Sequence, residues 1–167
     1  VGTAFVLEPY VDGSRGATVL DGAQLQALLL ELHRQRIALH LHTVGDAATR
    51  TALDAVEAAR LKVGGPLDSR VTLCHLEVQS AADLPRFAAL GVVASFTPHW
   101  NCGYFQGADR WLGRERYDLM YSVKPLLAAG AVVSFSSDVT DNVEWKTGRA
   151  NPFYGMQVGH TRLEVDE

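Results

Sequence analysis

Apolar side chains follow a helical period in five segments of the chain. Between residues 23 and 35, Leu25, Leu28, Leu29 and Leu32 lie at helical spacing after an Asp21-Gly22 pair, which predicts an amphipathic helix with a start signal in front of it. Four further helices are predicted from the same period and from residues that favour helix starts. They begin near Asp46, Ser80, Ser122 and Asn151.

Four short apolar runs lie between these helices and predict buried strands at residues 37–42, 71–75, 92–96 and 131–135. A longer loop separates the third strand from the fourth helix. Alternation of helix and strand favours a parallel sheet covered by crossover helices. Four strands are half of an eightfold barrel, yet a doubly wound sheet could show the same order, and periodicity does not distinguish the two.

Polar residues follow the strands where each one ends. His42 closes the first strand, His75 the second with Glu77 just after it, and Asp138 comes directly after the fourth. Reactive groups of parallel α/β folds gather at the carboxyl ends of strands, so we expect these side chains to meet. Imidazole and carboxylate are the usual ligands of zinc and related ions, which lower the pKa of bound water to about 7. The pattern predicts a metal site.

Each of these residues also has an ordinary structural interpretation. A histidine such as His42 or His75, taken alone, is more often a hydrogen-bonded core residue, and Asp138 alone would be a turn cap. Because those interpretations are independent of one another, three such residues at equivalent strand ends favour the metal site.

Three other polar residues have alternatives that stay open. His40 shares the face of His42 on a strand, and we expect it to be a core residue one layer deeper. Asp46 is expected to cap its helix rather than to support the site. His99, on the loop after Pro98, is either a substrate contact or alternative ligand, or a solvated loop residue.

Composition narrows the class of protein. A net charge of -4 and a pI near 5.8 argue against nucleic acid or an anionic membrane as partner, and no apolar run is long enough to span a bilayer. The first residues lack a signal-peptide pattern and an initiator Met, which predicts a processed chain or an excerpt of a longer one. Two cysteines, Cys74 and Cys102, favour reduced thiols in a cytoplasmic protein.

Several segments resemble motifs of the YtcJ-like amidohydrolases, also called amidohydrolase family 3. They are LHLHTVGDAATRTALDAVEAAR, VTLCHLEVQSAADLPRFAALGVVASFTPHW, LLAAGAVVSFSSDV and NPFYGMQVGHTR, with TAFVLEPYVDG near the start. The resemblance covers nearly the whole chain, and the combination in this order is specific although no single motif is.

This resemblance implies a fold and a set of ligands. Members have a distorted (β/α)8 barrel, so residues 1–167 would form a single partial TIM-barrel-type α/β domain. That domain would run from the strand-four region to just after strand eight, with strands five to eight and their helices. His42 and His75 would close strands five and six and bind metal, and Asp138 of strand eight would bind metal and shuttle protons. The cofactor would be one or two divalent ions, with zinc expected.

The sequence also departs from the family pattern. The family's His-X-His pair on strand one has no counterpart, since His40-Leu41-His42 lies on a different strand. No lysine ends a strand to serve as the bridging ligand of strand four. Val139-Thr140 replaces the usual Trp-Pro after the aspartate, which puts substrate specificity in doubt but not the ligand.

The resulting hypothesis is a hydrolase of non-peptide C–N bonds in amides, N-acyl compounds or cyclic amides. A metal-activated hydroxide would attack the carbonyl carbon of a small-molecule substrate, with Asp138 as general base and then general acid. His99 and Trp100 would contact the substrate. Without the missing ligands, the isolated chain is expected to be inactive.

A half-barrel also has consequences for the partners and the alternative functions that we expect. An open half-barrel leaves two sheet edges and an apolar inner face, which predicts self-association or pairing with a missing N-terminal half. The alternative is a non-catalytic barrel fragment kept for packing or assembly. A doubly wound, flavodoxin-like binding module is disfavoured because no Gly-rich phosphate loop follows the first strand.

Overall fold

The computed structural model of the chain describes residues 2–101, 107–139, 145–146 and 148–161. The strands are β1 Leu39–Thr43, β2 Val71–His75, β3 Val93–Phe96 and β4 Val133–Phe135. The helices are α1 Gly22–Gln35, α2 Asp46–Val63, α3 Leu84–Leu90, α4 Asp109–Leu112, α5 Arg114–Asp118, α6 Val123–Ala128 and α7 Pro152–Thr161. Two 3₁₀ turns lie at Ala81–Asp83 and Pro98–Asn101.

All four strands belong to one parallel sheet in the order β1-β2-β3-β4. The register aligns Leu41 with Leu73, Leu73 with Ala94, and Ala94 with Val133. A doubly wound sheet reverses its strand order at a switch point, and this sheet does not. The predicted α/β class is therefore confirmed, and the sequential order is that of neighbouring strands in a TIM-type barrel.

The first helix shows how local sequence sets the elements. Asp21 accepts a hydrogen bond from the backbone N–H of Gln24 at 2.8 Å, and the Gln24 side chain accepts one from the Asp21 N–H at 3.0 Å. This reciprocal capping box satisfies two amide donors at the helix start. Leu25 and Leu29 then lie buried on the face that packs against α2.

Gly45, not Asp46, is the N-cap of α2, so the predicted capping role of Asp46 is wrong. Asp46 is the first helical residue, and its carboxylate accepts a hydrogen bond from the Leu7 amide at 2.9 Å. A Cβ on Gly45 would lie 2.0 Å from the carbonyl oxygen of Phe5. The N-terminal segment, residues 2–20, thus crosses directly over the turn that follows His42, and only glycine at position 45 leaves room for it.

Tyr10 fastens the same N-terminal segment. Its side chain is buried, and its hydroxyl donates to the Ala4 carbonyl at 2.8 Å. Arg116 donates to the carbonyls of Glu8 and Pro9, each at 2.8 Å. The segment is therefore held from both sides although it contains no helix or strand.

Alkaline unfolding should report on Tyr10. Burial raises the pKa of its phenol to about 12. Because the phenol ionises near pH 10 in the unfolded chain, this contribution to stability is complete below pH 10 and is lost as pH rises towards 12, by about 2–3 kcal/mol. Urea unfolding at a series of alkaline pH values should show a steeper loss for the parent than for Tyr10→Phe. Parallel stability curves would contradict the assignment.

The segment after β3 is more ordered than predicted. Residues 97–121 were expected to be a loop, yet the described part contains a 3₁₀ turn and the short helices α4 and α5. The third helix also differs, because a 3₁₀ turn precedes it and Ser80 makes no side-chain cap. The Ser80 hydroxyl instead accepts a hydrogen bond from Arg50 at 3.2 Å. The other predicted helices and all four strands are confirmed within a few residues.

In the described part of the chain, the helices and the apolar core pack against one face of the sheet. The core includes Leu53, Leu73, Phe87, Ala94 and Leu126, each with no exposed surface. The opposite face carries two rows of side chains, which we term the open face: His40, Thr72 and Val93, then His42, Cys74, Ser95 and Ser134.

This open face corrects two expectations. His40 is exposed, so its predicted place in the core is wrong. The expected apolar inner face is wrong as well, because six of the seven side chains are His, Thr, Cys or Ser. Within the described ranges, no helix is long and apolar enough to cross a membrane.

Candidate metal centre

His42 stands at the carboxyl end of β1 on the open face, where its side chain is exposed. In the register it is the neighbour of Cys74 on β2, with Ser95 and Ser134 beyond. Alternation along β1 places Leu41 and Thr43 on the opposite, helix-covered face. The strand therefore presents His42 to the space that a barrel would enclose.

His75 reaches the same place through an irregular backbone. By strict alternation it would share the face of its register partner Thr43. His75 and Leu76 instead adopt left-handed conformations, with φ of 75° and 56°. Its ring lies against that of His42, with centroids 4.4 Å apart. Pairing continues past the bend, since the Leu76 amide donates to the Thr43 carbonyl at 2.9 Å.

Asp138 lies near His75 and follows the fourth strand. β4 is extended by a hydrogen bond from the Ser136 amide to the Phe96 carbonyl at 2.9 Å, and Asp138 follows with a left-handed φ of 46°. Its Oδ2 lies 3.9 Å from Nδ1 of His75, and its side chain is 34% exposed. Left-handed non-glycine residues are costly and concentrate at functional sites, so the strain at His75, Leu76 and Asp138 marks this edge.

Of the two predicted substrate contacts, Trp100 packs on His75 and His99 packs on Trp100. Trp100 stacks on the His75 ring with centroids 5.1 Å apart and planes 8° from parallel. His99 is 2% exposed, which excludes the solvated-loop interpretation. Its ring meets Trp100 and Tyr154 of α7 edge-on, each at 6.3 Å. α7 packs on Pro98 at Gly155 and Gly159, where a Cβ at either position would lie at the ordinary contact distance of 3.8 Å.

Glu77 was expected to lie near the strand-end residues, but it was predicted neither as a ligand nor as a catalytic group. It has no exposed surface, and its Oε1 lies 3.9 Å from Nδ1 of His75. Within the described part of the chain, neither carboxylate oxygen has a hydrogen-bond partner. Burial raises the pKa of Glu77 to about 8. Its position two residues after a strand-end histidine was visible in the sequence, but its burial was not.

The ionisable groups around His75 shift one another's pKa values. The pKa of His75 is lowered, first by burial and then by the nearby His42, while Asp138 opposes the change. Burial raises the pKa of the Cys74 thiol to about 11, and Asp138 and Glu77 add to the effect. These mutual influences indicate that the groups share one partly dehydrated site at the edge of the sheet.

The side chains of His42, His75 and Asp138 are of the chemical types that bind a divalent ion. Two imidazoles and a carboxylate are ligands that zinc accepts, and His75 Nδ1 and the Glu77 oxygens are buried without hydrogen bonds among the described residues. The ligands do not close on one point, since no three His, Cys, Asp or Glu side chains in residues 2–101, 107–139, 145–146 and 148–161 are grouped to hold an ion. The site is therefore a set of adjacent donors rather than a formed coordination shell.

Two clefts flank these donors. The larger, about 1090 Å³, lies between α6, β4 and α7 and is lined by His99, Tyr121, Phe135, Ser137 and Met156 among others. Of the described residues that line it, none is His42, His75 or Asp138, although Ser137 immediately precedes Asp138. The smaller, about 550 Å³, lies beside His42 and is bounded by Phe5, Leu20 and Ala48. Both clefts could admit a small molecule.

Sequence comparison finds two curated relatives of the chain. It is 26% identical over 138 residues to YtcJ of Bacillus subtilis (strain 168), which is named as an amidohydrolase, covering 81% of this chain and 25% of that protein. It is 27% identical over 124 residues to the N-substituted formamide deformylase of Arthrobacter pascens, covering 74% of this chain and 22% of that protein. The chain spans about a quarter of the length of these curated relatives.

Solved structures agree with the fold. An uncharacterized metal-dependent hydrolase from Pyrococcus furiosus superposes with a TM-score of 0.69 and 25% identity, over 89% of this chain and 30% of that one. A second metal-dependent hydrolase, from Pyrococcus horikoshii OT3, superposes with a TM-score of 0.67 and 24% identity over 89% of this chain and 29% of that one. This likeness shows that the two chains share a fold. The sequence profile of the amidohydrolase family matches residues 1–162. This chain therefore belongs to the amidohydrolase family.

Proposed function

We propose that this chain contributes to a metal-dependent hydrolase that cleaves non-peptide C–N bonds in amides, N-acyl compounds or cyclic amides. The observation that carries the proposal is the arrival of His42, His75 and Asp138 from three strands at one edge of the sheet. Membership of the amidohydrolase family and the likeness to a metal-dependent hydrolase support it.

His42 and His75 would hold a divalent ion, which we propose to be zinc, with Asp138 beside them. Such an ion, when bound, lowers the pKa of water to about 7 and so supplies a nucleophile at neutral pH. Asp138 would accept a proton at a carboxylate oxygen and would later give it to the departing nitrogen. Its partial exposure suits this role, since a proton carrier must reach both water and substrate.

The substrate would enter from the side of the larger cleft. His99 lines that cleft and Ser137 connects it to Asp138, so a carbonyl bound there would lie beside the catalytic carboxylate. One face of the Trp100 indole is covered by His75, and its remaining surface would contact the substrate. The relative named as a formamide deformylase supports a small N-acyl substrate.

Metal analysis combined with an amidase assay tests this function. The product of the complete open reading frame that encodes these residues should bind about one or two divalent ions and hydrolyse an N-substituted amide, and a chelator should abolish turnover. The isolated chain should bind metal but turn over little, because the remaining ligands are absent from it. Neither metal nor turnover in the complete product would support the non-catalytic assembly fragment instead.

Among the described residues, β1 and β4 are the edge strands of the sheet, and their outer edges support pairing with a second copy or with an N-terminal half-barrel. Phe135 at the β4 edge is 56% exposed, and Val132 just before that strand is 64% exposed. Unpaired strand edges of this kind readily recruit another chain. Light scattering should show a mass above that of the monomer which rises with concentration. A clean monomer at high concentration would contradict this proposal.

A further inference from the structure

The ring of His75 lies between two neighbours, Trp100 on its face and Glu77 near its edge, and the proposed chemistry gives Glu77 no role. Trp100 covers one face of the ring and fixes its plane. Glu77 lies near the ring edge, with Oε1 3.9 Å from Nδ1. Of the two ring nitrogens, Nδ1 is the one that is buried without a hydrogen bond. The environment of His75 is therefore different at each nitrogen.

Burying the Glu77 carboxyl group this completely lowers the stability of the folded chain. Burying a polar group without a hydrogen bond costs on the order of 1–3 kcal/mol, and an apolar side chain of similar size would avoid that cost. Both Glu77 oxygens lack a hydrogen-bond partner in the described part of the chain. A buried acceptor beside a buried imidazole nitrogen points to a proton shared between them.

We propose that Glu77 is a positioning residue that accepts the Nδ1 proton of His75 and leaves Nε2 free to bind the metal. The inference rests on the proposed function, in which His75 is a ligand. Histidine ligands commonly donate their second ring N–H to a carboxylate, which fixes the tautomer and the ring orientation. A movement of about 1 Å would bring the present separation to hydrogen-bond length.

Asp138 is the competing acceptor, because its Oδ2 lies at the same 3.9 Å from Nδ1. Exposure distinguishes the two carboxylates. The Glu77 side chain is 1% exposed, whereas that of Asp138 is 34% exposed and remains in contact with solvent. A hydrogen bond from His75 to Glu77 leaves Asp138 available for metal and proton transfer, and a bond to Asp138 would not.

The tautomer of His75 tests the contact in the metal-free chain. Nitrogen NMR of the neutral imidazole should show the proton on Nδ1 in the parent and in Glu77→Gln, whose amide oxygen still accepts. In Glu77→Leu the proton should move to Nε2, the form that free imidazole side chains favour in water. A parent with the proton on Nε2, or no change in Glu77→Leu, would overturn the inference.

Zinc titration against a competing chelator gives the second readout. Glu77→Gln should stay within about threefold of the parent affinity, whereas Glu77→Leu should bind about 10–100-fold more weakly. Glu77→Leu should nevertheless unfold at the same urea concentration or higher, since it removes an unsatisfied buried group. Glu57→Leu, at a 57% exposed side chain on α2, is the control and should leave zinc affinity unchanged.

The two readouts separate this inference from the proposed function. A parent chain that binds no zinc while His75 keeps its proton on Nδ1 would refute the metal centre and leave the Glu77 contact standing. A parent that binds zinc with equal affinity to Glu77→Leu would refute the positioning role alone. Equal losses of affinity in Glu77→Gln and Glu77→Leu would also refute it, because the acceptor would then be irrelevant.

Discussion

Asp138→Asn in the product of the complete open reading frame is expected to lower kcat for the proposed amide hydrolysis by about 10²–10⁴-fold, with little change in KM. Asparagine keeps the size and one oxygen of the side chain, but it cannot accept the proton of the attacking water or return it to the leaving nitrogen. Positioned acid–base groups contribute rate factors of this size. Steady-state kinetics on an N-substituted amide, with metal content measured for each variant, gives both constants.

Asp68→Asn is the matched control for that substitution. Asp68 precedes β2, at the opposite end of the sheet from Asp138, and its side chain is 58% exposed. Its replacement should leave kcat within twofold of the parent, roughly the effect expected of a surface change. Wild-type turnover in Asp138→Asn would show that the proton carrier is another group.

Gly45→Ala should destabilise the chain by about 3 kcal/mol or more. The new methyl group would lie 2.0 Å from the Phe5 carbonyl oxygen, which is backbone and cannot move without shifting the N-terminal segment. That shift would also disturb the bonds from Leu7 to Asp46 and from Ala48 to Phe5. Urea unfolding measures the loss directly.

Gly65→Ala provides the comparison, because a Cβ there would meet nothing within 4 Å and its backbone needs no left-handed φ. It should change stability by less than about 0.5 kcal/mol. Gly45 also follows His42 by three residues, so its alanine variant should bind zinc more weakly as well. Equal stability of the two variants would mean that the N-terminal segment does not cross Gly45 as described.

The secondary structure was predictable because its signals are local. The strand at Val71–His75 was predicted with the bounds that the structure gives, and the Asp21 start signal became a full capping box. The strand order in the sheet was not fixed by periodicity, since a barrel and a doubly wound sheet share the same alternation. The family resemblance supplied that choice, and the parallel pairing in chain order agrees with it.

The candidate site was predictable in its members but not in its contacts. Polar residues at strand ends identified His42, His75 and Asp138 as neighbours. Strand alternation alone would place the His75 side chain on the opposite face of the sheet from His42. The left-handed backbone at His75 and Leu76 brings the two rings together. No sequence period encodes such a bend, because it depends on hydrogen bonds to the adjacent strand.

Long-range packing explains the remaining differences. Asp46 resembled a helix cap, but Leu7, 39 residues away, provides its hydrogen bond. His40 resembled a core residue, but its side chain is exposed on the face of the sheet opposite the helices. Glu77 had no visible role until its burial beside His75 became apparent. In each case the deciding neighbour is distant in sequence.

Crystals of the chain soaked in zinc and measured at the zinc absorption edge test the central claim most directly. We predict an anomalous peak at the carboxyl end of the sheet, about 2.0–2.2 Å from nitrogens of His42 and His75 and an oxygen of Asp138. A peak bound by other residues, or no peak while these three side chains point away from one another, would contradict the account.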